Sequence, residues 1–359
     1  MPTTAGGPAS LRDGQVAPAG WMTESNMSDS AAFVETPSDE QSFPPLEDAW
    51  FLTGPTAAGK TSVGMRLAER LGAEILSMDS MAIYRGMDIG TAKPPAELRR
   101  CVPHHLLDIV DPTEEFSVSE YLRLAHRTAA EVRSRGKVPL FVGGTPLYLK
   151  ALTRGLYPGP PPDWEFRRQA EREAKRLGVE ALHRQLALID PLAAAKLHPH
   201  DLRRIIRALE VFHLTGRPIS HQQLQFEEGR PAEECRVFVL SWPRPLLHAR
   251  IERRVQGMFE AGLVDEVRRL LERYGRLGRT ASQAVGYREV QQHLAGELSW
   301  EETIRAVTIR TRQFARRQET WFRQMSECRP VAMSENEPLD AVVDRILASA
   351  SLRADRPGH

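Results

Sequence analysis

Lysine is scarce in this chain, with six residues against 42 arginines. Cysteine is scarcer, with Cys101, Cys235 and Cys328 only. The three form no CxxC pair and no metal-ligand spacing, which points to free thiols in a reducing compartment. No apolar run approaches the roughly 18 residues that a membrane helix needs. The N-terminus lacks a basic start followed by an apolar core, so no secretory signal is expected. These absences lead to the expectation of a cytoplasmic protein that engages no membrane. The shortage of lysine also makes Lys60 informative, because this chain ordinarily writes positive charge as arginine.

Basic and acidic residues nearly balance over the 359 positions, for a net charge of +1. The balance hides an asymmetry. Residues 1–50 carry eight acids and one arginine, and residues 330–359 carry five acids and three arginines. The stretch between them therefore holds a surplus of ten positive charges. Such a surplus permits a polyanionic partner without demanding one.

Residues 1–46 are rich in Gly, Pro, Ser, Thr and Ala and poor in large apolar residues. A segment of that composition is expected to be a disordered N-terminal extension. "AWFLTG" (49–54), "AEILSMDS" (73–80) and "VPLFVGG" (138–144) are short apolar runs that read as buried strands. Residues 60–71 and 117–135 read as the helices between them. Strand and helix in alternation predict a parallel sheet with helical crossovers. Proline and glycine crowd in "GLYPGPPPDWEF" (155–166), which marks a boundary. Beyond it Asp163, Asp190 before Pro191, and Asp201 are helix-start signals, and Gly178 and Gly216 are stop signals. "RVFVLSW" (236–242) returns to strand, and Ser299 with Glu302 opens a long helix through a capping box. The predicted fold is α/β: a P-loop NTPase-like parallel sheet core with an inserted helical domain. The core is expected at 47–156 and 236–329, the helical insertion at 157–235, and a C-terminal tail at 330–359.

"GPTAAGKT", residues 54–61, fits the phosphate-loop pattern G-x-x-x-x-G-K-[ST], with a strand before it and a helix after it. Gly54, Pro55, Thr56, Ala57, Ala58 and Gly59 are expected to turn backbone N–H groups towards phosphate oxygens. The helix start adds its partial positive charge. Lys60 is expected on the terminal phosphate oxygens and the Thr61 hydroxyl on Mg²⁺. The loop fixes a phosphate site, commonly a nucleotide site, but not the reaction. Asp79 ends the second strand, at the sheet edge where such folds bind ligands. There it can take a proton, ligate a metal or cap the next turn.

Several segments together resemble the signatures of tRNA dimethylallyltransferases. They are "GPTAAGKT", "DSMAIYRGMDIGTAKP" (79–94), "FVGGTPLYLKAL" (141–152), "HPHDLRRIIRALEVF" (198–212), "LLHARIERRVQGM" (246–258), "AVGYRE" (284–289) and "TRQFARRQETWFR" (311–323). They run in the family's order from about residue 50 to 323. Ala58 departs from the serine of many members, and the zinc finger of eukaryotic relatives is absent, so the likeness is to the bacterial type. The resemblance implies transfer of a dimethylallyl group from dimethylallyl diphosphate to N6 of the adenosine 3′ of the anticodon. The loop would then hold the diphosphate of the donor, which departs whole. Lys60, Thr61 and Asp79 become the catalytic candidates, with Asp79 as the base for N6 and Mg²⁺ on Thr61.

By the same resemblance Asp79, Ser80, Met81, Ala82 and Thr145 face the target base. Arg167, Arg203, Arg204, Ile205, Ile206 and Arg207 touch tRNA, as do Gln283 and Arg288. Helix spacing puts Ile205 and Ile206 inward and Arg203 and Arg207 on an outer face. Arg305, Arg312, Arg316 and Arg323 recur at helical spacing opposite Ile304, Val307, Phe314 and Trp321, an arrangement suited to a backbone-binding stripe. Arg250 and Arg254, four apart, are placed to close over the diphosphate. The anticodon stem-loop of tRNA and the prenyl donor are the expected partners of a monomer. Two rivals remain open on the residues alone: a small-molecule P-loop kinase with the insertion as its lid, and a nucleotide-gated RNA-binding switch without transfer chemistry.

Overall fold

The computed structural model describes residues 43–157, 159–222 and 229–351. The expected disorder of the extension falls on 1–42, outside the described residues. Its last part does not: Phe43 exchanges backbone hydrogen bonds with Leu156, and Leu46 is buried.

The first strand, β1 (Trp50–Thr53), runs into the glycine loop, and α1 (Lys60–Leu71) follows. Gly72, with φ of 61°, stops α1 by turning its N–H back onto Ala68 and Glu69. Next come β2 (Ala73–Ser77), α2 (Ala96–Cys101) and a two-residue edge strand β3 (His104–His105). The long α3 (Val118–Ser134) starts at a capping box between Ser117 and Glu120. β4 (Val138–Val142) and α4 (Pro146–Arg154) complete the first part of the core.

Residues 159–222 form a compact unit of their own. It contains α5 (Trp164–Leu177), α6 (Val179–Ile189), α7 (Pro191–Lys196), α8 (Leu202–Thr215) and α9 (Ile219–Gln222). Asp163, Asp190 and Asp201 each accept backbone N–H groups at a helix start. Phe166, Leu182, Leu186, Ile205 and Leu209 form its apolar core.

The chain returns with β5 (Val237–Ser241), α10 (Arg244–Glu260), α11 (Leu263–Tyr274), α12 (Tyr287–Leu294) and the 25-residue α13 (Trp300–Gln324). The expected tail is a correction. Cys328–Ala332 forms β6, paired with β5, and Leu339–Ser351 forms α14, whose Val342, Val343 and Ile346 are fully buried. "CRPVA" carries a proline and too few large apolar residues to read as a strand alone. It serves on the sheet edge, where a missing N–H is tolerated.

All strands pair in parallel, in the order β3-β2-β4-β1-β5-β6. Alternate residues feed opposite cores. Leu52, Ile75, Leu140 and Phe238 face α1, α10 and α11, while Phe51, Leu76, Phe141 and Val237 face α3 and α4. Because the sheet is parallel, the loops after β1, β2, β4 and β5 all leave from one edge. That edge is where doubly wound sheets bind ligands.

Candidate active site at the phosphate loop

The loop from Gly54 to Thr61 wraps the carboxyl end of β1. Gly54 (φ 145°) lies so close to β5 that a Cβ would sit 2.8 Å from the Leu240 carbonyl oxygen. Ala57 holds a left-handed conformation with φ of 64°, and neighbouring side chains keep it there. Arg250 Nε donates to the Ala57 carbonyl at 2.8 Å, and the indole N–H of Trp242 donates to the Ala58 carbonyl at 2.9 Å. The Arg250 guanidinium also lies 4.3 Å from the Trp242 ring centroid. Arg250 is therefore fastened to the phosphate loop itself, through the Ala57 carbonyl, with its guanidinium close to Gly59.

Lys60 folds back over its own loop, donating to the carbonyls of Gly54 (2.9 Å) and Pro55 (2.8 Å). Burial pushes its pKa down to about 7, the Arg254 charge pushes the same way, and the Asp79 charge opposes both. Arg254, on α10, is held below the ordinary arginine range by burial, again against the pull of Asp79. Its Nε is buried without a hydrogen-bond partner. A buried donor aimed at a phosphate loop and left unsatisfied is the arrangement an anion completes. Thr61 stands half-buried in the first turn of α1.

Among the described residues no group of three His, Cys, Asp or Glu is placed to hold a metal. Mg²⁺ commonly uses one or two protein oxygens and takes its other ligands from phosphate and water. A single hydroxyl beside a phosphate cradle fits that habit.

Asp79 lies just past β2. Its Oδ1 accepts the N–H of Met81 at 2.8 Å and of Ala82 at 3.3 Å, so it does cap the next turn. Thr145 Oγ1 accepts the Ser80 N–H at 3.0 Å, tying this turn to the start of α4. Beneath it the Tyr121 and Tyr148 rings stack at 3.8 Å, and the Tyr121 hydroxyl donates to the Ser77 carbonyl. Ala82 is buried, while Ser80 and Met81 are half-exposed.

The rest of the "GMDIGTAKP" motif is scaffold. Buried Glu266 accepts the N–H groups of Asp88, Ile89 and Gly90 and the Tyr287 hydroxyl, the last at 2.5 Å. Tyr287 is fully buried. Buried Lys93 donates to the Tyr84 carbonyl, Asp88 and Asp108. His104 and His105 are structural, bonded to the Val102 carbonyl and to Glu74.

In the helical unit Arg167 and Arg207 converge on one buried carboxylate, Glu210. The Asp163 N–H bonds to it too. Burial acts to raise the pKa of Glu210, but the arginine hydrogen bonds outweigh it and the net shift is downward. Arg203 and Arg204 are exposed, the latter 3.5 Å from Asp201. Ile205 and Ile206 are core, so their side chains are corrected from RNA contacts to packing.

Gln283, Arg288 and Arg316 are exposed on the core unit. Arg312 pairs with Glu252. Phe314, expected inward, is 37% exposed. The buried face of α13 is instead Thr303, Val307, Thr311, Ala315, Gln318 and Phe322. Sequence reasoning missed Gln318, Glu266 and Glu210. Glu266 and Glu210 are each the lone polar residue on an apolar helix face, which is the one signal that marks them; Gln318 shares its face with Thr303 and Thr311 and carries no such mark.

No helix among the described residues is long and apolar enough to cross a membrane. A family model described as IPP transferase matches residues 82–325. A tRNA dimethylallyltransferase of Rhodopirellula baltica is 49% identical over 306 residues, 83% of this chain and 92% of its own. Another, from Geobacter metallireducens, is 50% identical over 277 residues, 76% of this chain and 89% of its own. The crystal structure of the full-length tRNA isopentenylpyrophosphate transferase of Bacillus halodurans superposes with a TM-score of 0.62 at 38% identity, covering 86% of this chain and 98% of that one. A eukaryotic dimethylallyltransferase acting on tRNA gives a TM-score of 0.70 at 25% identity, over 86% of this chain and 80% of that one. Identity near one half, sustained along most of both chains, makes the relationship one of descent: the chain belongs to the IPP transferase family.

Proposed function

We propose that this protein transfers a dimethylallyl group from dimethylallyl diphosphate to N6 of the adenosine immediately 3′ of the anticodon in tRNA, releasing diphosphate. The observation that carries the reading is Lys60 folded over a phosphate loop, with Arg254 near enough for their charges to interact and its Nε buried without a partner, and one carboxylate, Asp79, at a neighbouring strand end. Two positive groups suit a leaving diphosphate, and one carboxylate suits a single proton transfer. The relatives named as tRNA dimethylallyltransferases support the same reading and do not favour the kinase alternative.

The chemistry follows from the parts. N6 attacks C1 of the allyl group as the C1–O bond breaks, and the bonding pair leaves with the diphosphate. Loop N–H groups, Lys60 and Arg254 stabilise that growing negative charge. Asp79 takes the proton N6 sheds as the C–N bond forms. The buried floor beneath Asp79 keeps water from the allylic carbon. The Thr61 hydroxyl would hold Mg²⁺, which would supply further charge neutralisation at the leaving group.

Ser80, Met81 and Thr145 surround the target base in this reading. Arg203, Arg204, Gln283, Arg288 and Arg316 meet the tRNA backbone or its unpaired bases. Every proposed catalytic group belongs to one chain, so a monomer suffices, acting in the cytoplasm beside its tRNA. Incubation with dimethylallyl diphosphate and unmodified tRNA, followed by mass analysis of the nucleosides, tests it. A prenylated adenosine is expected. Phosphorylation by ATP without prenylation would establish the kinase, and nucleotide-dependent RNA affinity without any covalent product the switch.

A further inference from the structure

Gln318 lies on the buried face of α13 and is 3% exposed. A buried amide needs partners at both ends. Its Oε1 accepts the N–H of Thr56, in the phosphate loop, at 2.9 Å. Its Nε2 donates to the carbonyl of Gly144, in the turn after β4, at 2.5 Å. Gly144 packs directly against both side chains: a Cβ there would lie 2.6 Å from Gln318 Nε2 and 3.3 Å from Lys60 Nζ. The same turn is fastened to the Asp79 segment. A Cβ on Gly143 would lie 2.0 Å from the Met78 carbonyl oxygen, and Thr145 accepts the Ser80 N–H. A continuous path therefore runs from Thr56 through Gln318, Gly144 and Thr145 to Ser80, one residue from Asp79.

We propose that Gln318 is a positioning residue for the transfer step, holding the loop that grips the leaving group in register with the carboxylate that receives the N6 proton. The inference rests on the function proposed above. β1 and β2 are separated in the sheet by β4, so the phosphate loop and Asp79 start about two strand spacings apart, roughly 10 Å. The reacting carbon must sit between them, and a loop that shifts by about 1 Å loses the aligned geometry at a cost of up to roughly 100-fold in rate. Gln318 is braced by the longest helix of the described chain. It thereby removes that freedom without itself touching a reacting atom.

Two variants test it. Gln318→Met matches the length and removes both bonds. Gln318→Glu keeps an acceptor for Thr56 and loses the donor to Gly144. Single-turnover transfer to tRNA, binding of inorganic pyrophosphate and thermal melting are measured on each and on wild type. Transfer by Gln318→Met is expected to slow by roughly 10- to 100-fold. Gln318→Glu, which turns a buried carboxylate oxygen onto the Gly144 carbonyl, should be at least as slow. Pyrophosphate affinity should change far less than the rate in Gln318→Met, whereas the added negative charge of Gln318→Glu should weaken it as well. A folded variant of either kind that transfers at the wild-type rate overturns the inference while the function stands. Equal loss of rate and pyrophosphate affinity in Gln318→Met also overturns it, because Gln318 would then only shape the binding loop. Wild-type protein that transfers no prenyl group overturns the function, and this inference with it.

Discussion

The Asp79 carboxylate receives the backbone N–H of Met81 at 2.8 Å, so the group proposed above as the acceptor of the N6 proton also holds the turn that follows β2. Both turn bonds fall on Oδ1. The carboxylate can therefore cap with one oxygen and accept a proton with the other.

This double duty separates two substitutions. Asp79→Asn keeps an oxygen for the turn but no longer accepts a proton at neutral pH. Prenyl transfer should fall by roughly 10²- to 10⁴-fold with the melting temperature nearly unchanged. Asp79→Ala should show the same rate loss and also lose about 1 kcal/mol of stability with the cap. Single-turnover rates and melting curves on both variants check this, and an active Asp79→Asn enzyme contradicts it.

Arg254 is predicted to trade stability for function. It is a half-buried cation whose Nε is buried and unsatisfied, and it lies near a second cation, Lys60. Arg254→Met should slow transfer by roughly 10²- to 10³-fold, the range for a lost charge stabiliser. The ligand-free protein should melt at the same temperature or higher, since a buried donor without a partner is removed. Calorimetry with inorganic pyrophosphate should show weakened binding.

Lys60 sets a pH dependence of stability. Its folded pKa is depressed to about 7, by burial first and then by Arg254, from an unfolded value of 10.5. Between those values the unfolded chain binds the extra proton, so the group's contribution to stability rises with pH across that window. Below about pH 7 the ammonium is charged in both states and the cost of burying it is felt in full. In protein free of ligand and metal, Lys60→Met should therefore be stabilised relative to wild type most at pH 6. The gap should narrow from pH 7 upwards. A gap independent of pH contradicts the assignment.

In the helical unit, stability and RNA binding should separate by residue. Glu210→Gln leaves Arg167 and Arg207 without their shared counter-charge and should cost about 3 kcal/mol. The folded pKa of Glu210 is lowered, so the same stabilisation should be lost in wild type as pH falls through and below the usual carboxylate range. Arg203→Ala with Arg204→Ala should leave melting unchanged. It should lower the salt slope of tRNA binding by about one per lost phosphate contact. An unchanged slope would make them an ordinary solvated face.

The elements that carry the phosphate were legible in the sequence because their signals are local. Glycine at 54 and 59, a strand before and helix caps after need no distant partner to be read. Asp163, Asp190 and Asp201 were legible as caps for the same reason. What escaped is held together across the chain. Nothing near Gln318 announces Thr56 or Gly144, and nothing near Glu266 announces the amides of Asp88 to Gly90. Arg250 and Arg254, four residues apart, looked equivalent. In the structure Trp242 and the Ala57 carbonyl engage the first, while the Nε of the second is buried without a partner. β6 was missed because an edge strand needs little apolar sequence of its own.

The most direct test of the account is to follow the phosphorus. Dimethylallyl diphosphate labelled in its diphosphate is incubated with the enzyme, Mg²⁺ and unmodified tRNA, and the label is traced. The account predicts that all released label appears as inorganic diphosphate, one for each prenyl group gained by tRNA, with none in the RNA. Label in the RNA, or label released as monophosphate in step with the reaction, would contradict it.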